Sequence, residues 1–279
     1  MRVMDYLPSN PQLRFKCVME CIGTFILSAG INLSTIYYSV SNDDNSINTQ
    51  QQQQRGQPIL LFLAFFAAVQ VSRAISGGHL NPAVTIAVYL SKPPKERNNV
   101  QKENMQWYIL AQITGAVIAC LLSWLFYNGN ILKLTIIIEQ SNQFWGFCIE
   151  MIATFVFCCS ILCQSNTKAN VVSDEMISTF IITISLFGCC GIAGKITGGC
   201  LNPAIGIAHN VVRFVVKRSL KECKYLWLYV FGPGCGGILA GMVYYRFYYR
   251  FYNEIVESNQ SNRLLNEVND NNNNNQEKM

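Results

Sequence analysis

Two stretches of the chain are near copies of each other: Ile75-Ser-Gly-Gly-His-Leu-Asn-Pro-Ala-Val-Thr-Ile-Ala87 and Ile196-Thr-Gly-Gly-Cys-Leu-Asn-Pro-Ala-Ile-Gly-Ile-Ala208. Asn is favoured as the N-cap of a helix and Pro as its first residue, so each Asn-Pro-Ala predicts a helix start. The apolar stretch after each tripeptide is only about ten residues long, whereas a bilayer-spanning helix needs about 20. Each copy therefore predicts a short helix that does not cross a membrane by itself.

The composition around these copies is typical of a membrane protein. Hydrophobic residues make up 51% of the chain, charged residues make up 13%, and the mean hydropathy is +0.21. Six apolar runs approach the length of a bilayer span, and they lie at Phe15 to Tyr38, Ile59 to Ile75, Trp107 to Tyr127, Phe144 to Cys163, Met176 to Ile192 and Tyr225 to Phe247. The two short helices follow the second and fifth runs. The sequence thus predicts an all-α membrane protein with six transmembrane helices and two re-entrant half-helices.

The two halves of the chain also match outside the short helices. Glu20-Cys-Ile-Gly-Thr-Phe25 resembles Glu150-Met-Ile-Ala-Thr-Phe155. The Glu-to-Asn separation is 61 residues in the first half and 52 in the second, and the polar Gln-rich segment 39–57 absorbs the difference. Because three spans per half is an odd number, the second half must enter from the opposite side of the membrane. Inverted repeats of this kind place their shared site near the midplane, with half-helix N-termini directed at it.

The predicted organisation has five parts: a cytoplasmic N-terminal segment at 1–12, a first repeat at 13–127 with its polar loop at 39–57, a connecting loop at 128–142, a second repeat at 143–252 and an Asn-rich cytoplasmic tail at 253–279. The Gln50–Gln54 tract and the tail lack apolar periodicity, so both are predicted to be disordered. With the N-terminus inside, 13 of the 21 Lys and Arg residues fall on the cytoplasmic side, which is a weak positive-inside signal.

These features together resemble the aquaporins, also called the major intrinsic proteins, over roughly Arg14 to Phe247. The resemblance rests on both Asn-Pro-Ala tripeptides with their preceding Gly-Gly pairs, on the paired Glu residues, on Ala111-Gln-Ile-Thr-Gly115 and on Gly232-Pro-Gly234. One such tripeptide alone is weak support. Two of them in symmetric positions of a six-span chain are specific.

The resemblance implies that the two half-helices meet end to end at the membrane centre and form the middle of a pore. Each N-terminus carries about half a positive charge, so a cation there is repelled while a neutral molecule loses little. The residues concerned are Asn81, Pro82, Ala83, Asn202, Pro203 and Ala204. The two Asn residues would cap their helices and turn amide N–H groups toward passing water. The alternative is that both serve only as N-caps.

The resemblance also implies a narrower filter toward the outer mouth, at Leu61, Cys190, Gly199 and Ile205. Here the sequence departs from the family pattern. Ile205 stands where most members have Arg, so a fixed charge with five donors has become an apolar side chain, and Leu61 and Cys190 replace the usual aromatic residue and His. The predicted constriction is apolar, and Gly199 adds no side chain to it. Two consequences stay open: a wider hole could pass glycerol, urea or ammonia, or a hydrophobic ring could dewet and close.

Glu20 and Glu150 lie inside apolar runs, where an ionisable side chain is a candidate for function because its burial is costly. The resemblance implies a structural role instead, in which each carboxylate accepts hydrogen bonds from backbone N–H groups of one re-entrant loop. For Glu20 the alternative is an interfacial carboxylate near Arg14 and Lys16.

No metal, cofactor or catalytic site is expected. His79 is predicted to stabilise the first loop or to act as a gate element and not to bind a metal, because the only other histidine is His209. Most of the 12 cysteines lie in apolar runs and are interpreted as small buried hydrophobes without the spacing of a zinc site. Cys190 and Cys200 are expected beside the pore, where a thiol reagent could block it. A nucleophile, base and metal constellation is also lacking, so the chain is not predicted to be an enzyme.

The sequence therefore predicts a passive channel for water, and the apolar filter leaves the passage of small neutral solutes open. The alternatives are a facilitator for glycerol, urea or ammonia, a gated or non-conducting structural membrane protein, and a secondary transporter. The last would need midplane carboxylates, which the half-helices lack. If the channel is gated, the gate is expected in the loop Lys168 to Glu175.

The resemblance alone gives the expected assembly, a homotetramer with one pore per chain in the lipid bilayer. The expected location is the cell membrane, with both termini in the cytoplasm. The net charge of +5 reflects loop and tail residues and does not indicate binding to nucleic acid.

Overall fold

The computed structural model describes residues 8, 10–40, 47–126, 143–165, 174–249, 251, 254 and 258, with side chains described for 8, 10–34, 59–126, 143–165, 174–247, 251, 254 and 258. This part of the chain is helical and contains no strand. Its α-helices are α1 (Pro11–Val40), α2 (Ile47–Ser76), α3 (Pro82–Ser91), α4 (Asn99–Phe126), α5 (Gln143–Ser165), α6 (Glu175–Thr197), α7 (Pro203–Lys217) and α8 (Leu226–Val243). Short 3-10 turns at Pro94–Glu96 and Leu220–Cys223 follow α3 and α7, and a π-helical turn at Tyr244–Tyr249 follows α8.

Six of the described helices, namely α1, α2, α4, α5, α6 and α8, are long and apolar enough to cross a membrane. The remaining two, α3 and α7, are the short helices that begin at the two Asn-Pro-Ala tripeptides. The order along the chain is two spans, a half-helix and a third span, and this order occurs twice. The predicted all-α fold with six membrane-spanning helices is thus confirmed.

The two half-helices differ in length, although the sequence predicts about ten residues for each. Helix α3 has 10 residues and α7 has 15. Pro93 and Pro94 follow Lys92 directly, and Pro removes a backbone donor and restricts the residue before it, so α3 ends there. Helix α7 runs on to Arg218, which adopts a left-handed conformation at the C-cap. At 1.5 Å per residue α7 is still only about 22 Å long, shorter than the roughly 30 Å hydrocarbon core.

The polar loop predicted at 39–57 is shorter in the structure, because α1 extends to Val40 and α2 begins at Ile47. The Gln50–Gln54 tract therefore lies within the bounds of α2, and the prediction that it is disordered was wrong. Gln is among the better helix formers, so a Gln tract is compatible with a helix that continues into the apolar span. The connecting loop 128–142, residues 168–173 of the expected gate loop and the Asn271–Asn275 run lie outside the described residues.

The helices of each repeat pack in the same way. The first span packs against the second and third spans of its own repeat, as α1 against α2 and α4, and as α5 against α6 and α8. The half-helices instead cross between repeats, since α3 packs closely against α8 and α7 against α4. This exchange brings the loops before the two half-helices together in the middle of the molecule.

Glycines allow the first and third spans of each repeat to approach closely. A Cβ atom on Gly115 of α4 would collide with the carbonyl oxygen of Cys21 in α1. In the second repeat a Cβ atom on Gly236 of α8 would collide with the carbonyl oxygen of Met151 in α5. Small residues at such contacts are typical of membrane helix pairs, whose association depends on close van der Waals contact.

Arg73, near the end of α2, connects the two repeats. Its guanidinium donates to the side chains of Thr179 and Ser178 at 2.7 and 3.1 Å, and to the carbonyl of Glu175 at 3.1 Å. All three acceptors lie in the first turns of α6, which Asp174 caps through its side chain. The end of the expected gate loop is therefore fixed to α2.

Candidate functional site

The loops before α3 and α7 meet at their Asn-Pro-Ala tripeptides. The side-chain oxygens of Asn81 and Asn202 accept hydrogen bonds from the backbone N–H groups of Ala83 and Ala204, at 2.8 and 3.0 Å, and so cap their own helices. Each side-chain amide also donates across to the opposite loop. Asn81 donates to the Leu201 carbonyl at 2.8 Å, and Asn202 donates to the Leu80 carbonyl at 2.9 Å.

This exchange of hydrogen bonds determines how many N–H donors the two Asn residues can present to a molecule in a pore. An amide NH₂ group has two N–H donors, and one of them in each Asn is used by the opposite loop. Both Asn residues line a cavity in the middle of the molecule, so one N–H per residue remains for a molecule in that cavity. The sequence predicts the amides as pore donors and N-caps, whereas their role in joining the two loops appears only in the structure.

Leu80 and Leu201, the residues before the two Asn residues, have left-handed backbone conformations with φ of 52° and 49°. Such angles are uncommon for a residue with a side chain. Both leucines are completely buried, and both carbonyls are acceptors in the exchange described above. The left-handed backbone is therefore found at the two residues whose carbonyls join the loops.

The carboxylate of Glu20 holds the first loop. It accepts hydrogen bonds from the backbone N–H groups of His79 and Leu80 at 3.0 and 2.7 Å. It also accepts from the Ser76 hydroxyl and from the Gln112 amide, both at 2.7 Å. Glu20 is fully buried, and four donors surround its two oxygens.

The carboxylate of Glu150 holds the second loop in the same way but with one donor fewer. It accepts from the backbone N–H groups of Cys200 and Leu201 at 3.0 and 2.8 Å, and from the Thr197 hydroxyl at 2.5 Å. Glu150 is also fully buried. Neither carboxylate is among the residues that line the central cavity.

The four residues predicted to form a filter surround this central cavity, which has a volume of about 90 Å³. Leu61 comes from α2, Cys190 from α6, Gly199 from the second loop and Ile205 from α7. Ile205 is only 2% exposed, and the Cys190 thiol donates to the Gly199 carbonyl at 3.5 Å. The cavity wall is mostly apolar and includes Leu27, Ile31, Phe65, Phe157 and Leu186.

Gly199 is fixed as glycine by its surroundings. Its φ is +66°, and a Cβ atom there would lie 2.8 Å from the carbonyl oxygen of Cys190. A side chain at this position would therefore strain the backbone as well as fill part of the cavity. The absence of a side chain is a consequence of the loop conformation.

Comparison with known proteins shows the family to which the chain belongs. The family model described as Major intrinsic protein matches residues 9–244. The chain belongs to the major intrinsic protein family. Members of this family are passive membrane channels, so the chain is an integral membrane channel and not an enzyme.

Relatives of this major intrinsic protein have been named for two kinds of solute. The chain is 30% identical over 194 residues to the "Glycerol uptake facilitator protein-like 6" of Lactiplantibacillus plantarum, a match that covers 67% of the chain and 83% of that protein. It is 29% identical over 184 residues to the "Probable aquaporin TIP2-2" of Arabidopsis thaliana, covering 65% and 67% of the two chains. The aquaglyceroporin structure from Plasmodium falciparum matches the fold with a TM-score of 0.70 at 20% identity, over 85% of this chain and 98% of that one.

Sequence reasoning missed two further pairs of residues that support the loops of this family member. The Tyr108 hydroxyl donates to the Ser76 carbonyl at 2.8 Å, and the Tyr229 hydroxyl donates to the Thr197 carbonyl at 2.7 Å. Ser76 and Thr197 stand at the same place in the two copied stretches. The sequence does contain a signal for these tyrosines, because each lies seven residues before the glycine at which its helix contacts the first span of its repeat, Gly115 or Gly236. Aligning the third spans of the two repeats would have found them.

His79 is placed in the first loop as expected, and its contacts are local. Its backbone N–H donates to Glu20, its ring lies 3.2 Å from the Thr85 hydroxyl through Nδ1, and it makes an edge contact with the Tyr108 ring. Within the described part of the chain, His, Cys, Asp and Glu side chains form no group of three or more that could hold a metal ion.

Proposed function

We propose that the chain is a passive pore for water and small neutral solutes, with its centre formed by the tripeptides at 81–83 and 202–204. The observation that carries this proposal is the exchange of hydrogen bonds from Asn81 to Leu201 and from Asn202 to Leu80. The exchange brings the N-termini of α3 and α7 together. Two positive helix ends that face one point disfavour a cation there and leave a neutral molecule almost unaffected.

The remaining amide N–H groups of Asn81 and Asn202 are the donors that face the permeating molecule in this proposal. A water oxygen accepts from them and turns its own protons away, so the chain of hydrogen bonds between successive waters is interrupted. The hydroxyl oxygens of a polyol or the carbonyl oxygen of urea can accept in the same way. The carboxylates of Glu20 and Glu150 stay out of the path, as positioning residues for the loops.

Leu61, Cys190, Gly199 and Ile205 form the selectivity filter in this proposal. A cavity of about 90 Å³ has room for several waters or for one small solute. Its apolar wall suits the carbon backbone of such a solute, and no fixed charge narrows it. We therefore expect a broader solute range than an Arg at position 205 would allow.

The assembly and the location belong to the same proposal. Family membership supports a homotetramer with one pore per chain. The excess of Lys and Arg on the side of the N-terminus supports a chain whose termini both lie in the cytoplasm, and we propose the cell membrane as its location. Light scattering of the detergent-solubilised chain would measure the number of subunits.

The test is stopped-flow light scattering on proteoliposomes that contain the full chain. Shrinkage in an impermeant osmolyte reports water flow, and re-swelling in glycerol or urea reports solute flow. The native chain is compared with Ile205→Arg and with the matched control Ile205→Val, which stays apolar. We expect fast shrinkage and re-swelling for the native chain and for Ile205→Val, and loss of re-swelling for Ile205→Arg.

Two results would contradict the proposal in different ways. Water flow without solute flow in the native chain would restrict the substrate to water. No flow through a correctly folded native chain would favour the alternative of a gated or non-conducting structural protein. The apolar wall around Ile205 supports this alternative, because an apolar ring can lose its water and close the pore.

A further inference from the structure

A second cavity lies beside the pore, near the surface at which α1 begins. It has a volume of about 260 Å³ and is lined by residues of α1, α3 and α4, together with Ser76 and His79. Its lining includes Thr85, Val88 and Tyr89 of α3 and Lys92, the residue directly after that helix. At 1.5 Å per residue, the cavity extends about 10 Å along α3.

This cavity and the central one are lined by different residues. The central cavity is bounded by α1, α2, α5, α6, α7 and the loops, whereas no residue of α5, α6 or α7 lines the second one. The two cavities have no lining residue in common. A molecule in the second cavity would therefore contact none of the residues that line the central cavity.

The charge of the second cavity is positive. Lys16 of α1 and Lys92 after α3 both line it, and its lining contains no Asp or Glu. The Lys92 ammonium donates to the side-chain oxygen of Gln101 at 3.0 Å, which is a neutral acceptor. Among the described residues, neither lysine makes a salt bridge. The nearest buried carboxylate, Glu20, lies behind Ser76 and His79 and is occupied by its own four donors.

Neutral hydrogen-bonding groups complete the lining. The side chains of Gln101 and Asn104 come from α4, and that of Tyr89 comes from α3. Arg97 fixes the end of α3 nearby, since its guanidinium donates to the carbonyls of Lys92 and Leu90, both at 2.8 Å. The backbone that carries Lys92 is therefore held in place at the mouth of the cavity.

We propose that this cavity binds the phosphate group of a small phosphorylated molecule, either a free phosphate monoester or the headgroup of a phosphorylated lipid. Two ammonium groups supply the charge, and the amides and the tyrosine supply neutral donors for several phosphate oxygens. The volume lies just below the roughly 300–1,000 Å³ of pockets for drug-sized ligands, which fits a small headgroup. Basic pockets between membrane helices at the surface are known sites for phosphorylated headgroups.

The test measures thermal unfolding of the purified full chain in detergent, followed by the fluorescence of its four Trp residues. The probes are sn-glycerol 3-phosphate and dioctanoyl phosphatidylinositol 4-phosphate, with sodium chloride at matched ionic strength and dioctanoyl phosphatidylcholine as blanks. A ligand that binds only the folded chain raises its Tm in a saturable way, from which Kd follows. We expect saturable stabilisation by at least one phosphorylated probe and none by the blanks.

Variants with the same change in net charge separate this site from a general effect of positive charge. The double variant K16Q/K92Q removes both cavity lysines, and we expect it to raise Kd at least tenfold. The control K95Q/K102Q removes two exposed lysines that do not line the cavity, and we expect a Kd within twofold of the native value. An equal loss in both double variants would overturn the proposal, and so would a lack of saturable binding by both probes.

The same titrations distinguish the two sources of phosphate. A lipid Kd at least tenfold below that of glycerol 3-phosphate would identify a headgroup site, whereas equal values would identify a site for free monoesters. If K16Q/K92Q does not fold, acetylation of the native chain with an amine-reactive ester replaces it. The stronger-binding probe should then protect Lys16 and Lys92 but not Lys95 and Lys102, and equal protection of all four would overturn the proposal.

Discussion

The two re-entrant loops are held by matched carboxylates that differ in their surroundings. Glu20 has four donors and Glu150 has three, and the donor that is missing in the second repeat corresponds to Gln112. Gln112 lies four residues after Tyr108, and the residue four after Tyr229 is Pro233, which has no side-chain donor. The two repeats therefore share the bonds to backbone N–H groups and differ in the side-chain bonds around them.

The two half-helices are also fixed by different contacts at their fourth residue, which is Thr85 in α3 and Gly206 in α7. In the first repeat Gln112 donates to both Glu20 and Thr85, at 2.7 and 2.9 Å, so a polar bridge joins α4, α1 and α3. In the second repeat the equivalent of Thr85 is Gly206, where a Cβ atom would lie 2.7 Å from the Cβ of Tyr229. Direct contact between α7 and α8 thus replaces the bridge. The same loop geometry is compatible with either way of fixing a half-helix.

The largest effect is expected from removing the carboxylates, with Glu20→Ala and Glu150→Ala. Each change leaves one buried and one part-buried backbone N–H group without an acceptor, at about 1–3 kcal/mol each, so we expect each variant to lose roughly 2–6 kcal/mol of stability. Since a typical protein has only about 5–15 kcal/mol in total, much of the protein should be lost on purification. The measurement is thermal unfolding in detergent together with the yield from size-exclusion chromatography.

The size of the two losses tests the comparison. Equal losses would mean that the shared backbone bonds dominate. A clearly larger loss for Glu20→Ala would instead assign the main contribution to Gln112 and contradict our interpretation. Glu103→Ala is the control, because Glu103 is exposed on α4 and its one described hydrogen bond comes from Trp107 at 3.4 Å.

A smaller effect is expected from Gln112→Ala, which gives the first carboxylate the same number of donors as the second. Gln112 is fully buried and bridges Glu20 and Thr85, so we expect a loss of about 1–3 kcal/mol. The loop should keep its conformation, because Ser76 and the backbone N–H groups still bind Glu20. Thermal unfolding and the water permeability of proteoliposomes measure the two parts of this prediction.

The exposed Gln106 on the same helix provides the control, since Gln106→Ala should change stability by less than about 0.5 kcal/mol. Loss of water flow in folded Gln112→Ala would mean that the bridge, and not only the carboxylate, sets the position of α3. The first repeat would then need a side-chain bridge that the second repeat lacks, and the carboxylate alone would not be enough to hold its loop.

Much of this fold was predictable because its main signals are local and repeated. The six apolar runs predicted the spans, and Asn and Pro predicted the starts of α3 and α7. The end of α3 also has a local signal in Pro93 and Pro94, whereas α7 continues for five more residues without a breaker. The extension of α2 through Gln50–Gln54 was missed because helical propensity and low hydrophobicity give opposite predictions there.

The candidate site was predictable only in part, because its side-chain partners come from distant positions. Gln112 stands within the quoted Ala111–Gly115 motif, yet its bridge depends on the approach of α1, α3 and α4, which no single segment encodes. The left-handed backbone of Leu80 and Leu201 was also unpredictable, since leucine is not a residue that favours positive φ. Pairs that both repeats share could be found by alignment, whereas features of one repeat alone could not.

The smallest effect on stability is expected where His79 of the first copy is replaced by Cys200 in the second. The Cys200 thiol donates to the carbonyl of Asn202 at 3.2 Å, and a serine hydroxyl can donate to the same acceptor. Cys200→Ser should therefore change stability by less than about 1 kcal/mol. The substitution should instead change the reaction with thiol reagents, because Cys190 and Cys200 are the two cysteines that line the central cavity.

We expect methyl methanethiosulfonate, a small neutral thiol reagent, to slow water flow through the native chain and to have no effect on the double variant C190S/C200S. Cys223→Ser, which changes a cysteine outside the central cavity, should remain as sensitive as the native chain. Mass spectrometry should find the label on Cys190 and Cys200 and not on Cys158, which is fully buried. Labelling of both cavity thiols without any slowing of flow would mean that water takes a path other than the one between the two Asn-Pro-Ala tripeptides.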